Sequence, residues 1–309
     1  MTKELRESFE SQYDYWLAIG LEIDSDSSME KFVHGKIKSF LSNDLGRFIE
    51  YSPSLAGDST FLMKIESDDL RSPPIVALPN GIYEQGVEKV FEVFLSSAEN
   101  FLDLGANIGF YSMFAVSLNP RIRVIAFEPN PEVRKRLLGN LIINRFLAQV
   151  SVIPFGISSN TGMVEFFVPP KSGSGAGSLR NLHTEEGEPK RFQVEIHTID
   201  EIFDPGSRVD VIKIDIEGSE YQAILGGEKL IASQQPVIVI ELLRKWMAPF
   251  GSHPQDVLLK LDELGYQSYG INDTHLRTIQ KIDETTEETN FLFFPNSRNI
   301  SALNKFRIT

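Results

Sequence analysis

Residues 100–128, NFLDLGANIGFYSMFAVSLNPRIRVIAFE, constrain what this chain can fold into more than any other stretch. They read as a strand, a glycine turn, a helix and a second strand that ends in an acid. Phe101 and Leu102 begin an apolar run that Asp103 and Leu104 carry into the turn Gly105, Ala106, Asn107, Ile108, Gly109. Tyr111 to Leu118 continues as a helix, with Met113, Phe114 and Val116 to bury. Val124 to Phe127 is a short continuous apolar run, as in a strand covered on both faces. Glycines carry no Cβ and let backbone approach a ligand closely, and the helix N-terminus favours polar or anionic groups. Glu128, closing the second strand, is placed to accept hydrogen bonds from both hydroxyls of a ribose. The unit predicts a nucleoside-containing cofactor; the plainer alternative is a parallel-sheet protein that uses these glycines only to turn.

Glycine spacing narrows the choice of cofactor. A dinucleotide site wants G-x-G-x-x-G, whose central glycine makes room for a pyrophosphate. The spacing here is G-x-x-x-G, with Asp103 just before it. An acid there repels a pyrophosphate but can pair with an ammonium. S-adenosylmethionine has the ammonium, the ribose diol and no phosphate, so local chemistry favours it over NAD.

The 309 residues suffice for one large α/β domain and a smaller appendage. A formal net charge of −13 argues against a nucleic-acid substrate, which needs a basic footprint, and against docking on anionic membrane by charge. With no cysteine, disulfides, thiolate metal sites and a cysteine nucleophile are excluded. The N-terminus MTKELRESFESQYDYW lacks the apolar core of a signal peptide, and no run approaches a membrane span, so the expected location is cytoplasmic.

Two domains are expected, a helical or mixed N-terminal cap over residues 1–78 and an α/β domain over 79–309. A capping box at Ser27 to Glu30 and the spacing of Met29, Phe32, Val33, Ile37, Phe40 and Leu41 predict an amphipathic helix. Phe61 to Ile65 and Ile75 to Leu78 suggest a small strand pair. Residues 81–99 read as a helix leading into the strand at Phe101, with Tyr83 and Glu84 at its start. Both are helix-cap or cofactor-site candidates. Pro131 begins a further helix, and Val150 to Ile157 is the third strand. Met163 to Val168 and Phe192 to Ile196 form an inserted hairpin around SGSGAGS, residues 172–178, either a solvated loop or a lid.

A second constellation is VDVIKIDIEGSEYQAILGG, residues 209–227. Its buried strand ends in Asp215 and Glu217, and PVIVIE, residues 236–241, is another buried strand ending in Glu241. Ligands of open α/β sheets bind at the carboxyl ends of strands. Asp103, Glu128, Asp215, Glu217 and Glu241 would then gather on one edge, more acids than helix caps require. Tyr266 to Ile271 and Asn290 to Phe294 complete the strands, with Ser252 as a plausible cap of the helix before them.

These stretches together resemble the FkbM family of S-adenosylmethionine-dependent methyltransferases. The matching segments are YEQG (83–86), FLDLGANIGFYS (101–112), FEPNP (127–131), the Gly177-Ser178-Leu179 segment and IKIDIEGSEYQAILGG (212–227). The resemblance covers residue 80 onward. It implies a Rossmann-like fold with a mostly parallel seven-stranded sheet, an antiparallel last strand and a β-hairpin insertion. It also implies O-methylation of a sugar, glycan or other natural-product hydroxyl.

An alcohol is a weak nucleophile, so a base or a metal should assist. Asp215 is the first candidate base, with Glu217 and Glu241 orienting the acceptor. Alternatively Asp215 and Glu241 share Mg2+, a hard cation that takes carboxylate ligands. Candidates for the cofactor are Glu84, Asp103, Gly105, Asn107, Gly109, Glu128, Pro129 and Gly156. His183 and His197 lie in the insertion, read more simply as loop and strand-edge residues. The expected partner is a small-molecule or glycan acceptor, with no nucleic acid and no membrane insertion, and homodimerisation left open. A nicotinamide dehydrogenase and a non-catalytic nucleoside-binding module are the rival readings.

Overall fold

The computed structural model describes residues 29–30, 37–43, 46–65 and 83–309. Strands β1 (Met29–Glu30), β2 (Ile37–Asn43), β3 (Gly46–Tyr51) and β4 (Phe61–Lys64) form one antiparallel sheet in that order. They are followed by α1 (Gln85–Leu95), β5 (Asn100–Leu104), α2 (Phe110–Leu118), β6 (Arg123–Phe127), α3 (Pro131–Ile143) and β7 (Val150–Ile153). A small insertion sheet comprises β8 (Gly156–Ile157), β9 (Gly162–Val168) and β10 (Lys190–His197). Next come α4 (Ile199–Ile202), β11 (Val211–Ile214), α5 (Glu220–Gly226), α6 (Glu228–Gln234) and β12 (Val237–Glu241). The chain ends through α7 (Arg244–Met247), α8 (Pro254–Glu263), β13 (Tyr266–Ile271), β14 (Leu276–Thr278) and β15 (Asn290–Pro295). No helix among the described residues is long and apolar enough to cross a membrane.

The main sheet runs β14-β13-β15-β12-β11-β5-β6-β7. Strands β7, β6, β5, β11 and β12 are mutually parallel, and β15 runs antiparallel to β12 and β13. This is the expected seven-stranded arrangement, with β14 as an eighth strand at the edge. The order reverses at β5, which pairs with β6 on one side and β11 on the other. That reversal opens a crevice at the carboxyl ends of the strands.

Alternation along the strands builds two cores. Phe101, Val124, Ala126, Val211 and Val239 pack with α1, α2 and α3. Leu102, Leu104, Ile212, Ile214, Ile238 and Ile240 pack with α5, α6 and α8. Asp103 and Lys213 are register partners on neighbouring strands and belong to the first face. Helix α2 is apolar all round, so it needs cover on every side. The N-terminal sheet supplies it: Tyr51 and Phe61 lie with ring centroids 5.2 and 5.6 Å from that of Phe110.

One expectation for the N-terminal region is corrected. The helix predicted over residues 27–41 is replaced, where described, by β1 and β2. The β2–β3 ladder, from Ile37↔Tyr51 to Asn43↔Gly46, satisfies backbone groups across the sheet, and such tertiary pairing overrides an intrinsic helical pattern. Strand β4 pairs with β3; the stretch Ile75 to Leu78, expected as a strand beside it, lies outside the described residues. Helix α8 also starts later than predicted, capped by His253 with Asp256 instead of Ser252.

The backbone of β4 is held by two side chains of the α3 region, four residues apart and therefore on one face. Asn144 accepts from the Leu62 N–H and donates to the Leu62 carbonyl, each at 2.7 Å. Asn140 accepts from the Lys64 N–H at 3.2 Å. Asn144→Leu removes both bonds to Leu62 and should cost about 1–3 kcal/mol. Chemical denaturation of the two proteins checks this; an unchanged midpoint would show that the sheet is docked by apolar contacts alone.

Candidate active site

The turn after β5 is fixed by backbone geometry. Gly105 and Ala106 both donate to the Phe127 carbonyl, at 3.1 and 2.9 Å. Gly105 has φ +79°, and a Cβ there would lie 1.8 Å from the Asp215 carbonyl oxygen. The glycine is therefore required by the close approach of β5 and β11, before any ligand is considered. Gly109, at φ +91°, would put a Cβ 2.3 Å from Leu137 Cδ1, so it serves the packing of α3.

Glu128 is buried and clamped between two turns. Its oxygens accept from the N–H groups of Asn130 at 2.8 Å and Asn107 at 3.0 Å. Burial pushes its carboxyl up to about 7, while those N–H groups and Arg134 pull it down.

Glu84, Gly105, Asn107, Glu128, Pro129, Gly156, Asp215, Glu217 and Glu241 all line one cleft at the carboxyl ends of the central strands. Asp103 and Gly109 do not. Asp103 is buried, accepting from Ser112 Oγ at 2.6 Å, with its other oxygen unpartnered. Burial raises its pKa, and Lys213 opposes this most strongly. The ammonium near Asp103 is thus one the protein itself supplies.

Lys213 escaped the sequence reading, although a lysine within VIKI is an irregular choice for a buried strand. It is buried, with Nζ 2.9 Å from Asp215 Oδ2 and 5.3 Å from the ring centroid of Tyr111. The Tyr111 hydroxyl donates to Glu84. Glu84 is raised chiefly by burial. Burial, then Asp215, Glu217 and Glu84, push Glu241 up to about 10.

The segment after β11 turns through two left-handed residues, Glu217 at φ +50° and Gly218 at φ +104°. Glu220 braces this turn, accepting from the N–H groups of Ile216 at 3.2 Å and Gly218 at 2.9 Å. The last acid of the motif is a structural anchor.

The glycine-serine segment is a wall of the cleft. Gly175, Ala176, Gly177 and Leu179 line it, as do Phe155 and Phe166, which the sequence reading did not single out. Ser178 donates from Oγ to the Glu217 carbonyl at 2.7 Å, tying the segment to the acidic turn. Neither histidine reaches the lining. His183 is buried 4.8 Å from the Trp246 ring, and His197 lies 4.4 Å from Phe155, centroid to centroid.

Among the described residues, no group of three or more His, Asp or Glu side chains is arranged to hold a metal ion. A shared Mg2+ on Asp215 and Glu241 gains no support from this arrangement, in which Lys213 already holds one Asp215 oxygen.

A largely parallel sheet with a glycine turn at its switch point, an acid closing the next strand and further carboxylates on the same cleft has the layout of a Rossmann-like methyltransferase. Within that class, the methyltransferase FkbM domain matches residues 103–268, more than half of the chain, and the protein belongs to that family. It is similar to AMB antimetabolite synthetase AmbE of Pseudomonas aeruginosa, 29% identical over 175 residues, 46% of this chain and 8% of AmbE. Hexuronic acid methyltransferase AglP of Haloferax volcanii is 30% identical over 162 residues, 50% of this chain and 62% of AglP. 2-O-methyltransferase NoeI of Sinorhizobium fredii is 27% identical over 145 residues, 42% of this chain and 58% of NoeI. The chain thus spans less than two thirds of each of these three proteins.

The glycines can be told apart by stability. Gly57, at φ +63° with nothing within 4 Å of an added Cβ, should lose only about 1–2 kcal/mol on change to Ala. Gly105→Ala adds a backbone clash and should cost more than about 3 kcal/mol or prevent folding. Thermal unfolding of both variants decides; equal losses would mean that the strand ends part freely.

Proposed function

We propose that the protein transfers a methyl group from S-adenosylmethionine to a hydroxyl of a sugar or other natural-product acceptor. The observation that carries this reading is the convergence of Asp215, Glu217 and Glu241 on the cleft that also holds Asn107 and Glu128. The residues fit that cofactor. Glu128 keeps lone pairs for ribose hydroxyls beyond its two backbone bonds. The side-chain oxygen of Asn107 is buried without a partner and calls for a donor. Carboxylate walls favour a sulfonium and oppose a pyrophosphate, which disfavours a nicotinamide cofactor. The names of AglP and NoeI support a sugar-like acceptor and transfer to oxygen.

When bound, S-adenosylmethionine supplies an electrophilic methyl on a positively charged sulfur. The protein holds the acceptor hydroxyl in line with it, and orientation of this kind contributes up to ~7–11 kcal/mol. Asp215 would take the hydroxyl proton as the oxygen–methyl bond forms and the methyl–sulfur bond breaks to leave a neutral thioether, and then release that proton to solvent. Glu241, held neutral by burial and its acidic neighbours, donates a hydrogen bond to the acceptor and does not compete for that proton. Glu217, on its left-handed turn, orients the acceptor at the cleft wall.

Asp215→Asn keeps the shape and removes the base. Turnover in a labelled-methyl assay against a panel of hexuronic acids and sugar glycosides should fall ~10²–10⁴-fold, with cofactor affinity by calorimetry retained. Full turnover in the folded variant defeats the assignment.

The Glu128 clamp carries a pH signature. Its charged form accepts from the ribose, so binding favours deprotonation. Cofactor affinity should be level above about pH 7 and weaken up to tenfold per unit below it. Glu128→Gln should bind more weakly at neutral pH, by about 1.5–3 kcal/mol, and without that dependence. Titration calorimetry across pH 5–8 is the check, and a wild-type profile in the variant would remove Glu128 from the ribose.

A further inference from the structure

We propose that Lys213 is a positioning residue for Asp215, fixing that carboxylate at the cleft wall while neutralising Asp103 beneath it; this rests on the reading of the cleft as an S-adenosylmethionine site. Lys213 lies on β11 at the register position facing Asp103 of β5, and it is only 6% exposed. Its ammonium contacts Asp215 Oδ2 at 2.9 Å and sits over the Tyr111 ring of α2. Asp103 is held in turn by Ser112, and Glu84, ahead of α1, by the Tyr111 hydroxyl. Tyr83, Glu217, Glu220 and Glu241 are the further titratable groups whose charges act on this cage.

A buried ammonium is not a packing solution, because methionine would fill the same space without desolvating a charge. Burial alone would lower the lysine pKa; Asp215, Asp103 and Glu84 outweigh it and raise the value. The charge is therefore retained inside the fold, with one Asp215 oxygen tied and the other left for an acceptor.

The test compares wild type, Lys213→Met, Lys213→Arg and the double variant Lys213→Met with Asp103→Leu. Replacing both buried charges by apolar side chains leaves neither Lys213 nor Asp103 uncompensated in the core, so the double variant serves if the single one does not fold. Unfolding without ligand is followed from pH 5 to 8, and S-adenosylmethionine and S-adenosylhomocysteine are titrated calorimetrically at pH 6 and 8. Without the ammonium, burial and the charge of Asp215 act on Asp103 uncompensated, and Asp103 takes up a proton in the folded state. A raised carboxylate pKa loses stability as pH rises, so the deficit of Lys213→Met should widen from pH 5 to 8. The double variant should lack that slope. Preference for the sulfonium ligand over its neutral analogue should fall at least fivefold at pH 6 in Lys213→Met and in the double variant, and Lys213→Arg should restore most of it. A pH-independent deficit with unchanged ligand preference would overturn the proposal and leave Lys213 a packing residue. Failure of wild type to bind either ligand would instead overturn the cofactor reading, and the unfolding slopes would still decide the Asp103–Lys213–Asp215 arrangement.

Discussion

The carbonyl oxygen of Asp215 occupies the space that a side chain at residue 105 would need, and much of the site follows from that contact. Strands β5 and β11 stay paired to their ends, where the Asp215 N–H donates to Leu104 at 3.1 Å. The chain must then leave β5 at positive φ against a neighbouring backbone, which only glycine does without strain. Folding back, the turn spends its first two N–H groups on Phe127 and its third on Glu128. Sheet register, glycine turn and clamped acid are one mechanical unit. The Asp215 side chain is brought to the cleft by the same contact that excludes a side chain at Gly105.

Within that unit the acids divide by what holds them. Asp103 and Glu220 are buried and bonded inward, so they serve the fold. Glu128 is bonded on one side and open to the cleft on the other. Burial and three neighbouring carboxylates oppose the charge of Glu241 and push its carboxyl up to about 10. For these raised groups the folded state binds protons that the unfolded chain releases, so each is a net stability cost at neutral pH. Such a cost concentrates where a site is built, since an apolar edge would be more stable. Lys213 limits it by placing one positive charge below the acids.

Much of this was legible in the sequence because it depends on local period and on strand ends. The run from Phe101 to Glu128, the strand ending in Asp215 and Glu217, and the strand ending in Glu241 all carry their positions in their own pattern. The N-terminal misreading has a local cause. Ile37, Phe40 and Leu41 fit a helical period, but the Asn-Asp-Leu-Gly stretch at 43–46 is a hairpin signal that outranks it. Lys213 was not legible as part of the site, because its meaning comes from a register partner 110 positions earlier. The cleft walls at Phe155 and Phe166 were missed for a related reason: apolar residues in and beside an insertion look alike until the sheet places them.

The N-terminal sheet belongs to this site through a chain of hydrogen bonds. Asn140 accepts from Lys64 of β4 and, through its amide nitrogen, donates to the Ile108 carbonyl in the glycine turn at 2.9 Å. One side chain thus joins the edge of the cap to the loop that presents Asn107. Helix α2, which starts from that loop, is apolar on the side the cap covers, with Tyr51 and Phe61 each in edge contact with Phe110. A helix so apolar could not stand exposed, and a turn held from one side only would be free to shift against Glu128. The sheet that a sequence reading treats as an appendage is what holds the glycine turn from behind.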